Sequence, residues 1–473
     1  MRSARLLTLL SLVLAGTPAC KEKPTNTPGS DGAAPTDTTG QDVAKAKSQA
    51  LVDLANEKLR AGKYQAAREM AEDALKKDDN NADAHAVLGA ASFRAGDIEA
   101  SNAGYKEALE IEPKNFGALL GMARNLQAVG DHKGAIELCD RALAQDAKQI
   151  DPMMYKMWSY YAQTDMDSAV KEFDNLFKFI DGKDPLLPIL QAQAAYARAL
   201  EGKGPLIEFV GATGSSDAQL DPNGGFKHAG GLVGSEFTRV VFFEVREEAR
   251  IHTELAATLQ LKPIGKVKPA GSDAEVDIVL IPEVKFGDLT VKNVPALVED
   301  LSPYGSIGEV PGMLMGRQVM QKFGSITFDY PQGSSTFTAA PLGGPPAGAV
   351  EAPLYLIDMR ILTVPVTRIS LDGSDYSFFA WFGGVFYKSA ISITKRAFIK
   401  SGHRPSELDP LDDADQGLKM FYVHDLKVGE FETKGVGGLV MAGTPPNAEL
   451  GQLVANTGFE IGGYVNPTVL KNL

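Results

Sequence analysis

In the first half of the chain, small and apolar residues return every 34 positions. Gly62, Gly96 and Gly130 stand in phase, as do Ala74, Ala108 and Ala142, each alanine followed by Leu75, Leu109 or Leu143. A period of this length predicts paired helices stacked side by side. The glycines fall where a first helix must end in a left-handed turn. The alanines fall where the second helix packs so closely on the first that only a small side chain fits. Units at 48–81, 82–115 and 116–149 are clear. Residues 150–183 read as a degenerate fourth, with Ala169, Phe173 and Leu176 at the expected places, and 185–202 predict a further capping helix. The array is expected over 44–203.

After Gly204 the pattern shifts to short alternating strands with Gly, Pro and Asp between them. Val240–Phe243, Ile278–Ile281 and Ile326–Phe328 are predicted strands of a first part, 214–340. Leu354–Ile357, Val364–Val366 and Phe378-Phe379 are those of a second, 350–473. The stretch Leu342-Gly-Gly-Pro-Pro-Ala-Gly348 joins them as a linker. The parts echo each other at an offset of 142 residues: Val284-Lys-Phe-Gly-Asp-Leu289 parallels Leu426-Lys-Val-Gly-Glu-Phe431. Each reads as a strand, a glycine turn and a returning strand.

The 473 residues carry 47 Lys+Arg against 60 Asp+Glu, a net charge of −13. A chain this acidic, without a basic run, repels a phosphate backbone, so nucleic acid is not an expected partner. At the start, Arg2 and Arg5 precede the apolar run Leu6–Ala15, and Thr17-Pro18-Ala19 leads into Cys20. That order is the order of a secretory signal peptide, 1–19, with an apolar run too short to span a bilayer. The placement of Cys20 resembles a bacterial lipobox, which implies a lipidated Cys20 at the mature end. Thr17 and Pro18 depart from the usual Leu and Ala/Ser, and ordinary secretion with an incidental cysteine is the other reading. Residues 20–43 have the composition of a disordered tether. Lys21 rather than Asp after the cysteine favours the outer membrane by analogy, on its periplasmic or surface face. The remaining cysteine, Cys139, lies inside a predicted helix and reads as a small buried residue.

The period, the helix-ending glycines and the small packing residues resemble the tetratricopeptide repeat. That family stacks helix pairs into a superhelix whose concave face is lined by the first helix of each pair. In this register the face holds Asn56, Arg60, Phe93, Arg94, Arg124, Gln127, Tyr155, Trp158 and Tyr161. Arginines beside aromatics anchor carboxylates and peptide side chains. Asn56, Arg60, Arg94, Arg124 and Trp158 are therefore the candidate peptide-binding residues, although Ala90 and Ala128 interrupt the column. Solvated arginines with aromatic packing between repeats are the plainer reading.

The segment Leu314-Met-Gly-Arg-Gln-Val-Met320, then Phe323 and Ile326-Thr-Phe-Asp329, resembles the Gly-Arg element and closing strand of retropepsin-like aspartic proteinase domains. Ile461-Gly462-Gly463 is the counterpart in the second part, whose closing strand would be missing or supplied elsewhere. The alternative is an unrelated β domain duplicated in tandem. The resemblance implies two acids, one from each lobe, in Asp-Thr/Ser-Gly turns. Neither Asp-Thr-Gly nor Asp-Ser-Gly occurs. After Val240–Phe243 the chain reads Glu244-Val245-Arg246, and the second part has Ala380-Trp-Phe-Gly-Gly384 with no acid, so Glu244 is the only weak catalytic candidate. Asp329 matches a structural acid. The histidines are scattered, His252 and Glu254 are two apart on a predicted helix, and no nucleotide or zinc motif occurs. The acidic turns Asp372–Asp375 and Asp409–Asp415 read as solvated loops rather than calcium sites. No metal or small-molecule cofactor is expected.

The fold class expected is multidomain: an all-α tetratricopeptide-repeat solenoid followed by a mainly-β, duplicated, retropepsin-like region. The function expected is that of a lipid-anchored envelope protein that holds a protein or peptide partner through 48–183, with a non-catalytic β half. An envelope-bound aspartic peptidase with an atypical site is the alternative, and a β domain that binds glycan or another envelope component is a third.

Overall fold

The computed structural model describes residues 40–220, 227–243, 246–269, 274–305, 309–344, 349, 351–358, 363–375, 377–382, 390–410, 418–441, 461–466 and 469. The helical half runs α1 (Gly40–Arg60), α2 (Tyr64–Leu75), α3 (Ala82–Arg94), α4 (Ile98–Ile111), α5 (Phe116–Ala128), α6 (His132–Leu143), α7 (Ile150–Ala162), α8 (Met166–Leu176) and α9 (Leu187–Leu200). Its first helix begins at Gly40, four residues inside the stretch read as tether. The 34-residue period extends to the caps. Asp97, Asp131 and Asp165 open α4, α6 and α8, accepting from the amides of Ala100, Gly134 and Ser168 at 3.0, 2.9 and 3.1 Å. Asn81 and Asn115 open α3 and α5 in the same way, at 3.1 and 3.0 Å. These side chains satisfy amides that a helix start leaves unpaired. Gly62, Gly96 and Gly130 take the left-handed turn at φ 70°, 84° and 83°. In the fourth unit Thr164 holds that place at φ 62°, a conformation costly for a β-branched residue.

Small residues set the closeness of the helices. Ala74, Ala108, Ala142 and Ala169 are completely buried. Gly89 and Gly121 leave a slot for the ring of Tyr105: a Cβ on Gly121 would lie 2.1 Å from Tyr105 Cζ. Cys139 is free and buried, and burial pushes its thiol up to about 12.

The β half is made of β1 (Glu208–Val210), β2 (Thr213–Asp217), β3 (Gln219–Leu220), β4 (Lys227–Val233), β5 (Glu236–Phe242), β6 (Ala249–His252), β7 (Pro263–Val267), β8 (Val276–Phe286), β9 (Leu289–Glu299), β10 (Met313–Met315), β11 (Ser325–Asp329) and β12 (Ser334–Thr338). Short helices α10 (Thr253–Thr258) and α11 (Arg317–Met320) follow β6 and β10. The second part comprises β13 (Tyr355–Asp358), β14 (Thr363–Leu371), β15 (Ser377–Phe382), β16 (Ile391–Thr394), β17 (Asp409–Pro410), β18 (Leu418–Val428), β19 (Phe431–Met441) and β20 (Ile461–Val465), with α12 (Lys395–Lys400) after β16. Strands begin at Glu208, six residues before the expected boundary at 214. His252 ends β6, so it does not share a helix with Glu254 as expected.

Strand pairing in the first part closes on itself. β4–β5, β10–β6, β9–β8 and β8–β4 are antiparallel, while β5–β10 and β6–β9 are parallel. The result is a six-stranded barrel, which removes free edges. The second part passes through the same pairings in the same senses: β14–β15, β20–β16, β19–β18 and β18–β14 antiparallel, β15–β20 and β16–β19 parallel. The hairpins β8–β9 and β18–β19 turn at Gly287 and Gly429, with φ 57° and 59°. Outside the first barrel, β11, β12 and β2 form a three-stranded sheet. The linker stretch 345–348 lies outside the described residues.

Array and first barrel share a core. Val267, Ile278 and Leu297 of the barrel join Met153, Phe173, Leu190 and Tyr196 of the last helices. The carbonyls at the end of α7, which lack partners within the helix, are capped from the barrel. Gln318 Nε2 donates to Tyr161 O at 2.8 Å, Gln321 Nε2 to Ala162 O, and Lys322 Nζ to Gln163 O at 2.7 Å. The lysine also places a cation at the negative end of the helix dipole. Among the described residues no helix is long and apolar enough to cross a membrane.

Candidate peptide-binding groove

The repeat register sets Asn56 and Arg60 on α1, Phe93 and Arg94 on α3, Arg124 and Gln127 on α5, and Tyr155 and Trp158 on α7. The structure brings Arg94 and Arg124 into one patch. The Arg124 guanidinium lies 3.5 Å from the centre of the Phe93 ring. Its Nη2 donates to Tyr105 Oη at 3.2 Å, while its buried Nε has no hydrogen-bond partner among the described residues. The Arg94 guanidinium lies 6.0 Å from the centre of the Tyr64 ring. Burial lowers the pKa of Arg94, and the charge of Arg124 adds to that effect. Among the described residues neither arginine has a carboxylate within ion-pair distance. Two half-buried guanidiniums thus repel each other without a counter-charge, framed by Phe93, Tyr64, Tyr105 and Tyr155.

Other residues of the expected face divide. Gln127 donates to Tyr155 O and Ser159 Oγ, both at 2.7 Å, and so braces α5 against α7. Trp158 is half-buried beside Tyr155, with ring centres 6.3 Å apart, and packs on the fourth-unit core. Arg60 is exposed in the last turn of α1, and neither it nor Asn56 is joined to the arginine pair. Tyr161 leaves the face altogether. It is fully buried, and its hydroxyl donates to Glu248 Oε1 at 2.6 Å, so the first barrel occupies the end of the array that the register had assigned to a partner. The expected surface over 48–183 therefore shortens to the first three units and α7. Tyr64 was missed by the register because it sits on a second helix; its signal was an aromatic just after the turn glycine Gly62.

Glu244 and Cys20 lie outside the described residues. The acids that follow Glu244 are engaged: Glu247 pairs with Arg317, Glu248 with Tyr161 and Arg250, and Arg250 reaches Glu299 at 3.0 Å. Among the described residues no group of three or more His, Cys, Asp or Glu side chains surrounds one point.

Residues 95–156 match the model of the tetratricopeptide repeat family. The crystal structure of MamA is similar over 33% of this chain and 83% of its own, at 18% identity and a TM-score of 0.29. YrrB, described as a TPR protein with an unusual peptide-binding site, is similar over 33% of this chain and 77% of its own, at 16% identity and 0.29. PilF of Pseudomonas aeruginosa is similar over 35% of this chain and 72% of its own, at 18% identity and 0.31. No curated protein sequence matches. The helical half is a repeat array like a tetratricopeptide solenoid, followed by a β-rich region.

Proposed function

We propose that the chain is a lipid-anchored envelope protein that holds a protein or peptide partner in the groove of its first three repeats, with Arg94 and Arg124 receiving a carboxylate. The observation that carries this reading is the pair of half-buried guanidiniums without a counter-charge among the described residues, since a carboxylate between them relieves their repulsion. Aromatic rings on either side supply the apolar contact that a peptide anchor needs. The barrels act as a non-catalytic base. Their shared wiring, with β10 and β20 wedged between a parallel and an antiparallel neighbour and a Gly-Arg step after β10, supports a retropepsin-like origin. The lack of Asp-Thr-Gly and the engaged acids after Glu244 support loss of the dyad. Anchoring by a lipid on Cys20, and a place at the outer membrane, rest on the order of residues 1–21.

A fluorescence-polarisation screen of peptides with free carboxyl ends tests the groove. Binding should fall about tenfold or more on amidation of the terminal carboxylate, as loss of a charge-assisted bond implies, and should vanish in Arg94→Glu. Equal binding by Arg94→Glu would retire the groove. Cys20→Ala should move the protein from the membrane to the soluble fraction, and an unchanged distribution would count against the anchor.

A further inference from the structure

The second barrel carries a group of side chains that no sequence motif joins. Past the end of helix α12 Gly402 takes the left-handed turn at φ 88°, and the His403 amide returns to Phe398 O at 3.3 Å. This turn fixes the imidazole, which stacks on Phe398 with ring centres 5.0 Å apart and meets Phe421 edge-on at 5.4 Å. Only 9% of the His403 side chain is exposed. Its Nδ1 lies 3.0 Å from Glu407 Oε2, and the neutral tautomer in which Nδ1–H donates to that carboxylate is the one that presents the Nε2 lone pair to a ligand. Nε2 is buried, has no hydrogen-bond partner among the described residues, and faces Asp372 Oδ2 at 3.4 Å. The other oxygen, Asp372 Oδ1, is held by the amide of Asp425 at 2.7 Å. In that tautomer a lone pair and a carboxylate oxygen face each other 3.4 Å apart. An open cleft of about 840 Å³ adjoins them, lined also by Asp375, Lys400, Tyr422 and His424.

We propose that His403 Nε2 and Asp372 Oδ2 bind a divalent transition-metal ion, zinc being the type, with Glu407 as the carboxylate that orients the imidazole. Ligands about 2.0–2.2 Å from a tetrahedral zinc stand roughly 3.4 Å apart, which is the separation of these two atoms. A neutral imidazole whose far nitrogen donates to a carboxylate is the usual arrangement behind a metal-bound histidine. With no third ligand of the His, Cys, Asp or Glu type closing on the point among the described residues, water from the cleft completes the shell. The ion is therefore exchangeable, and it clips the Asp372 turn to the end of α12.

Equilibrium dialysis of the full chain against Zn²⁺, with Co²⁺ as a spectroscopic probe, tests the site. One equivalent should bind, with Co²⁺ giving ligand-field absorption in the visible. Asp372→Asn keeps the acceptor for the Asp425 amide and tolerates the positive φ of residue 372, so it should fold yet bind at least tenfold more weakly. Glu407→Gln, at a surface position, should weaken binding about 10- to 100-fold. Equal uptake by wild type and both variants would assign the ion to adventitious surface histidines and overturn the site. Titration of His403 with no metal uptake would show that a proton alone bridges the carboxylates, and would overturn it as well.

Discussion

His132 makes the joint between array and first barrel sensitive to acid. It opens α6 in the third repeat, where burial and the nearby cations Arg317 and Lys322 of the barrel depress its pKa from 6.5 to about 4, against a smaller opposing pull from Asp131. The folded protein therefore favours the neutral ring, whereas the unfolded chain takes up a proton near pH 6.5. The stabilisation is complete above pH 6.5 and is lost as pH falls toward 4. At about 1.4 kcal/mol for each pKa unit, the drop from 6.5 to about 4 corresponds to roughly 3.5 kcal/mol. About 2.5 kcal/mol of this disappears by pH 4.5, or about 2 after discounting for partial exposure. Urea melts followed by circular dichroism at pH 7.5 and 4.5 read the difference. With an m-value near 3 kcal/mol/M, the midpoint of the first transition should fall by about 0.7 M more in wild type than in His132→Gln. Equal falls in the two proteins would refute the depressed histidine and the cationic neighbourhood that causes it.

Three further outcomes follow from the same structure. Thr164→Gly should stabilise the protein by roughly 0.5–1 kcal/mol, because relief of a left-handed threonine (about 1–2) exceeds the added freedom of glycine in the unfolded chain (about 0.5–1); a lower melting temperature would contradict the reading. Gly121→Ala should cost about 3 kcal/mol in denaturant melts, since the methyl group meets the buried Tyr105 ring; Tyr105→Leu in the same chain should recover part of the loss. Unfolded casein incubated with the protein at pH 3–7 should remain intact, and cleavage that disappears in Glu244→Gln would restore the peptidase reading.

The array was legible in the sequence because its contacts are local. A helix, its turn glycine and its packing alanine all lie within one 34-residue unit, so their spacing writes the geometry directly. Individual strands such as Ile278–Ile281, and the glycine turns at Gly287 and Gly429, were legible for the same reason. Closure of the barrels was not. β10 lies between β5 and β6 although some sixty residues or more separate it from them, and hydrophobic alternation carries no record of which distant strand is a neighbour. The docked end of the array was hidden as well, because Tyr161 reads as a groove aromatic until Glu248 and Gln318 are seen to hold it. Within the groove the residue types were readable, but only the structure shows that Arg94 and Arg124 come together while Asn56 and Arg60 stay apart from them.

Site-specific photo-crosslinking in native envelopes tests the central claim most directly. A photoreactive phenylalanine at Tyr155, beside the arginine pair, should capture a partner that is absent when the same group replaces the exposed Phe179, past the end of α8 in the fourth unit. Adding Arg124→Glu should abolish the adduct. Equal capture at both positions, or an adduct that survives Arg124→Glu, would contradict a partner held by the groove.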